Sequence, residues 1–132
     1  MAGVTRISLT DNLGKIPTNT RPTVEAAIRT VKEIAPKAEE ISYQSRQPSS
    51  SSMMWKLVRY ATGGANVIGI GTFTNHAAMF FYRGREIDDG SGALQGSGKD
   101  SRFVTLRSPA EAEGPVVKRL VKMAFKLEGA EA

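Results

Sequence analysis

The chain of 132 residues has no cysteine, a single histidine and few aromatics, namely five Phe, three Tyr and one Trp. Each scarcity excludes some chemistry. Without cysteine there is no disulfide, no thiolate nucleophile and no cysteine-ligated zinc, a composition that suits a reducing compartment. Histidine is the side chain best suited to proton transfer at neutral pH, but a general acid or base needs a partner and a cleft, and no second polar group stands at a recognisable spacing from the lone His76. The apolar runs fall far short of the roughly 20 residues a membrane helix needs. The opening MAGVTRISLTDNLGK has no signal-peptide core, so a cytoplasmic protein with no membrane partner is expected. Runs of like charge are also missing. The net charge is +5, yet the basic residues are spread along the chain and no helix-turn-helix, zinc-finger or RNA-binding aromatic pattern accompanies them. Nucleic acid is therefore not the expected partner.

What is present is ordinary globular material, with 40% hydrophobic and 23% charged residues. A chain of this length buries roughly two-thirds of its unfolded surface, enough for one core. Residues 1–19, punctuated by Gly3, Gly14 and Pro17, read as a flexible leader with at most one short element. From Thr20 the period becomes helical: Val24, Ala27, Ile28, Val31, Ile34 and Ala35 recur on one face, and Pro36 stops the run. Glu40–Ser45 alternates as a strand does. The loop Gln47–Ser52 follows, with its serine run Ser49–Ser52 read as a plain connection. Strand signals then cover Met54–Ala61, Asn66–Phe73 and His76–Arg83, with a turn at Gly63-Gly64 and a further short strand expected at Arg85–Ile87.

The glycine-rich stretch Asp88–Ser101 cannot be a regular element, but Arg102–Arg107 resumes strand alternation. Ser108-Pro109-Ala110-Glu111 matches a capping box, and Gly114-Pro115 predicts an interruption and restart of the last helix. Val116, Val117, Leu120, Val121, Ala124 and Leu127 give that helix its apolar face, with Lys118, Lys122 and Lys126 opposite. The order helix, strands, helix predicts an α+β fold: an antiparallel sheet of about five strands with N-terminal and C-terminal helices packed on one face. Residues 20–128 form the expected single domain and 129–132 a tail.

The candidate site is the loop Gly96-Ser97-Gly98-Lys99 with Arg102. Its glycines expose backbone N–H groups, while the ammonium and the forked guanidinium suit an anion. It is not a P-loop, because Ala93 replaces the first glycine, Asp100 stands where magnesium needs Ser or Thr, and a strand follows. His76 joins the candidates only if it faces the same cavity. Trp55, Tyr60, Phe80, Phe81, Tyr82 and Phe103 read as core and sheet-face residues, and Gly69 and Gly71 as places where a helix packs closely on the sheet. No catalytic set and no metal set can be assembled from these residues.

The succession APKAEEISY, NVIGIGTFTNHAAMFFYRGREIDD and GSGKDSRFVTLRSP, followed by an apolar terminal helix, resembles the YdhG-like family, domain of unknown function 1801, from about Thr20 to Leu127. The resemblance implies a frataxin-like sandwich in a family with few assigned activities, one branch of which is described as iron chaperones. The chain departs from that branch around Arg46–Met54. Iron would call on clustered carboxylates. Here Glu25 and Glu33 are interleaved with Arg29 and Lys32, Glu39 and Glu40 lie near Lys37, and Asp88-Asp89 precede a turn glycine. The expectation is a non-enzymatic binding protein for a small anionic ligand or a protein partner, with iron as the cofactor under the alternative reading. An enzyme acting on a small anionic metabolite is a third reading, and a homodimer through a sheet edge is expected to be open to it.

Overall fold

Pro36 and the alternation that follows it divide the chain as the pattern predicts, and the remaining elements follow from where glycine and proline fall. The computed structural model describes residues 8–42, 54–88, 90–96 and 98–129. In chain order these form α1 (Leu9–Leu13), α2 (Arg21–Ile34), β1 (Glu39–Ser42), β2 (Trp55–Thr62), β3 (Ala65–Thr72), β4 (Ala77–Phe81), α3 (Gly84–Ile87), β5 (Arg102–Leu106), α4 (Pro109–Ala112) and α5 (Pro115–Leu127). The five strands make one antiparallel sheet in the order β1-β2-β3-β4-β5. Each strand therefore pairs with its neighbour in sequence, and β1 and β5 are the edges. Gly63 and Gly64, both at positive φ, close the β2–β3 hairpin.

Strand periodicity sorts the sheet into two faces. Ile68 and Ile70 of β3 lie opposite Phe81 and Met79 of β4, and these side chains share one core with Val24, Ala27, Ile28 and Val31 of α2 and Val117, Leu120, Val121, Ala124 and Phe125 of α5. The α+β fold with its helices on one face of a five-stranded antiparallel sheet is thus realised. Two neighbouring helices are tied by Thr30, whose hydroxyl lies 2.9 Å from the carbonyl of Ala112 at the end of α4.

Three expectations change. Residues 8–19 are built into the domain: Ser8 caps α1 by accepting from the Asp11 N–H at 3.1 Å, Asn12 is buried, and Ile16 enters the core. The expected strand Arg85–Ile87 is the helical turn α3, because Arg83 forks onto Glu86 one turn on and the Arg85 N–H reaches the Asp100 carbonyl at 2.9 Å. Gly69 and Gly71 face away from the helices. On that side the Phe80 ring lies where a Gly69 side chain would begin, so the glycine makes room for an aromatic ring. The serine run lies outside the described residues, as do residues 1–7 and 130–132.

Candidate functional site

The loop that carries the sequence candidates is organised by Arg102. Its Nη1 donates to the carbonyls of Gly98 at 2.6 Å and Ser101 at 2.8 Å, and its Nε stands 3.8 Å from Asp88 Oδ2. Asp88 in turn accepts from the Gly90 N–H at 3.0 Å. The guanidinium is therefore turned onto the loop's own oxygens and holds the loop to the start of β5. Lys99 is exposed, Gly96 has φ +114°, and Ser97 lies outside the described residues.

His76 is elsewhere. It closes the β3–β4 connection, with its carbonyl accepting from the Phe73 N–H at 2.8 Å and its ring stacked on Phe73 at 4.6 Å. In the β4–β5 pairing Ala77 faces Leu106 and Phe81 faces Arg102, so His76 and Arg102 sit at opposite ends of the ladder. Five strand residues correspond to roughly 17 Å. The structure does not bring His76 to the glycine loop, and the shared cavity that a catalytic histidine would need there is not formed.

Of the carboxylates named for iron, Glu40 is held by two partners. Tyr60 Oη donates to Glu40 Oε2 at 2.8 Å, and Lys32 Nζ is 3.7 Å from the same oxygen. Burial, and then the Glu40 carboxylate, push the Tyr60 phenol far above its ordinary range, so it stays a donor. Among the described residues no group of three or more His, Asp and Glu is gathered as a metal site would require. No described helix is long and apolar enough to cross a membrane.

A concavity lies beside this loop, on the open side of β5. It is a groove of about 800 Å³ between the stretch 91–95, the edge of β5 and the start of α4 and α5, with Ala93, Gln95, Thr105, Arg107, Val116 and Arg119 among its walls. That volume is in the range of small-ligand pockets, roughly 300–1,000 Å³. Its backbone chemistry follows from strand pairing. Gln95 and Phe103 exchange both amide bonds, at 2.8 and 2.9 Å, so Phe103 directs its polar groups away from β4. Antiparallel geometry then directs those of Thr105 and Arg107 the same way. The Arg107 N–H is taken by Glu111 Oε1 at 2.6 Å, whereas neither the N–H nor the C=O of Thr105 has a partner among the described residues.

The far wall of the groove is the first turn of α5. Pro115 stands at its first position and no side chain among the described residues caps its amides, so the positive end of the helix dipole borders the same space as Arg107 and Arg119. Val116, 46% exposed, is the one large exposed apolar side chain among the described residues and forms part of the rim. Sequence reasoning missed Thr105, Arg107, Glu111 and Arg119. The available signal was that a final strand in a meander must be an edge, and that Ser108 and Glu111 start a helix directly after it. The capping box itself forms by half: Ser108 Oγ accepts from the Glu111 N–H at 3.2 Å, but Glu111 reaches back to Arg107 and not to Ser108.

No family model, curated protein or solved structure matches the chain.

Proposed function

We propose that the chain is a cytoplasmic, non-enzymatic binding protein of the YdhG-like kind, and that its ligand is anionic and lies in the groove beside β5. The observation that carries this reading is the convergence of Arg107, Arg119, the start of α5 and a Thr105 amide with no partner among the described residues on one space large enough for a ligand. The glycine loop contributes its Gln95 end as a wall. Lys99 is not among the walls of the groove, and Arg102 keeps the loop in place. The net charge of +5 favours encounter with anions in the same sense.

Melting curves in citrate, pyrophosphate and ferrous iron test the reading, because a ligand that binds only the folded state raises the melting temperature with concentration. A saturable rise with citrate or pyrophosphate is expected, removed by Arg107→Ala and little changed by Lys99→Ala. A rise with iron alone, abolished by neutralising Glu25, Glu33 and Glu39, would replace this reading with the frataxin-like one. If no anion shifts the melting and Arg107→Ala behaves as the parent does, the groove is not the site.

A further inference from the structure

We infer that the groove beside β5 takes a short extended peptide of acidic character, which adds to the sheet through Thr105. The inference rests on the reading of the groove as a ligand site and specifies the ligand. An edge strand offers alternate residues outward, and in β5 these are Phe103, Thr105 and Arg107. The first is already paired with Gln95 as if with a further strand, and the third has its N–H satisfied by the Glu111 carboxylate at 2.6 Å. Thr105 between them presents one donor and one acceptor in the geometry that a peptide unit complements and a simple anion does not. A groove bounded by an edge strand on one side and a helix on the other is the arrangement in which extended peptides are captured by strand addition.

The walls indicate which peptide fits. Arg107 and Arg119 border the strand, and Lys118 and Lys122 continue the positive surface along α5, so acidic side chains are favoured over basic ones. Val116 and Ala93 give the alternate positions of an extended segment an apolar contact. Glu111 bonded to Arg107 already shows a carboxylate accepting from this edge, and an incoming acidic residue would compete for the same N–H. A second copy of this chain fits less well. Its own β5 is flanked by the same walls, the stretch 91–95 on one side and α4 with α5 on the other, and these would meet before two edges could pair.

Selection of random octapeptides displayed on phage against the full chain, with the enriched peptides synthesised and titrated by NMR, tests the inference. Acidic peptides are expected, with the Thr105 amide among the most shifted signals and about a tenfold loss of affinity when the peptide amide facing it is N-methylated, one hydrogen bond's worth. Thr105→Pro removes the outward N–H while sparing the ladder to β4, and should weaken binding similarly. Arg107→Glu, at an exposed position, supplies the same test should the proline variant fail to fold. Peptides that bind without moving the Thr105 amide, or that tolerate N-methylation throughout, overturn strand addition while leaving an anion site intact. So does the absence of any enriched peptide when citrate or pyrophosphate still raises the melting temperature of the parent and not of Arg107→Ala. Protection of the Thr105 amide that rises with protein concentration alone assigns the edge to a second copy and overturns the inference as well.

Discussion

The two edges of the sheet are bordered by different contacts. At the β1 edge side chains are bonded inward: Asn12 Nδ2 lies 3.2 Å from both Ser42 Oγ and the Leu57 carbonyl, and Tyr60 donates to Glu40, which also faces Lys32. At the β5 edge Gln95 and Glu111 satisfy the flanking positions and leave Thr105 open between them. Buried polar groups that are paired fix the shape of a fold, because leaving one unpaired is expensive. Outward groups left unpaired beside a groove remain available to something else. The contrast teaches where to look for function: at the edge that borders a groove.

The contrast is sharpened first at the closed edge. Asn12→Leu deletes the amide that serves Ser42 and the buried Leu57 carbonyl, and should lower unfolding stability by about 2 kcal/mol. Urea denaturation measures this, and the anion-dependent rise in melting temperature should survive in the variant. An unchanged midpoint would mean that the closed edge is not held by these bonds. Tyr60→Phe comes next, removing the bond to Glu40 with an expected loss of about 1 kcal/mol, moderated because Glu40 is partly exposed and keeps Lys32.

A smaller effect depends on pH. Arg83 donates Nε and Nη2 to the two Glu86 oxygens at 2.6 and 2.8 Å and Nη1 to Glu128 at 3.0 Å, tying α3 to the end of α5 at the surface. The Arg83 hydrogen bonds hold the Glu86 carboxyl below its ordinary 4.5. A carboxyl depressed on folding contributes stability that is present above its unfolded pKa and lost as pH falls through the folded one. Glu86→Gln should therefore be less stable than the parent near neutrality, and the two should converge on acidification below pH 4.5; a difference that persists in acid would assign it to packing. The smallest stability change belongs to the open edge. Arg107→Ala, at an exposed position, should leave the urea midpoint within about 0.5 kcal/mol of the parent while removing the response to anions. A large loss of stability there would show that the open edge is structural after all.

Much of the fold was legible because the chain punctuates itself. The apolar period from Val24 to Ala35 ending at Pro36, the alternation in β1 and β5, the Gly63-Gly64 turn and the Gly114-Pro115 break each act over a few neighbouring residues, where propensity and pattern operate. The misread segments are those decided by distant partners. The five-residue α1 is too short to show a period, and Ile16 is drawn in by a core formed much later in the chain. Arg85–Ile87 turns helical through Glu86, Asp100 and Glu128. The candidate loop was found, but the direction of the Arg102 guanidinium was not, since its acceptors are backbone oxygens, which the sequence of residue types does not mark. The groove was invisible for the same reason: its walls come from residues 91–95, β5 and α5.

By itself the sequence determined the class of fold, through periods of two and of about three and a half residues and through the absence of cysteine, long apolar runs and like-charge blocks. Only tertiary structure decided which strand became the edge beside the groove, that His76 and Arg102 stand at opposite ends of one ladder, and that the Thr105 amide, without a partner among the described residues, lies beside Arg107 and the start of α5. The physical reason is range. Hydrophobic periodicity and turn chemistry are local and can be read along the chain, whereas pairing register and the direction of a side chain's hydrogen bonds depend on partners that only folding brings within reach.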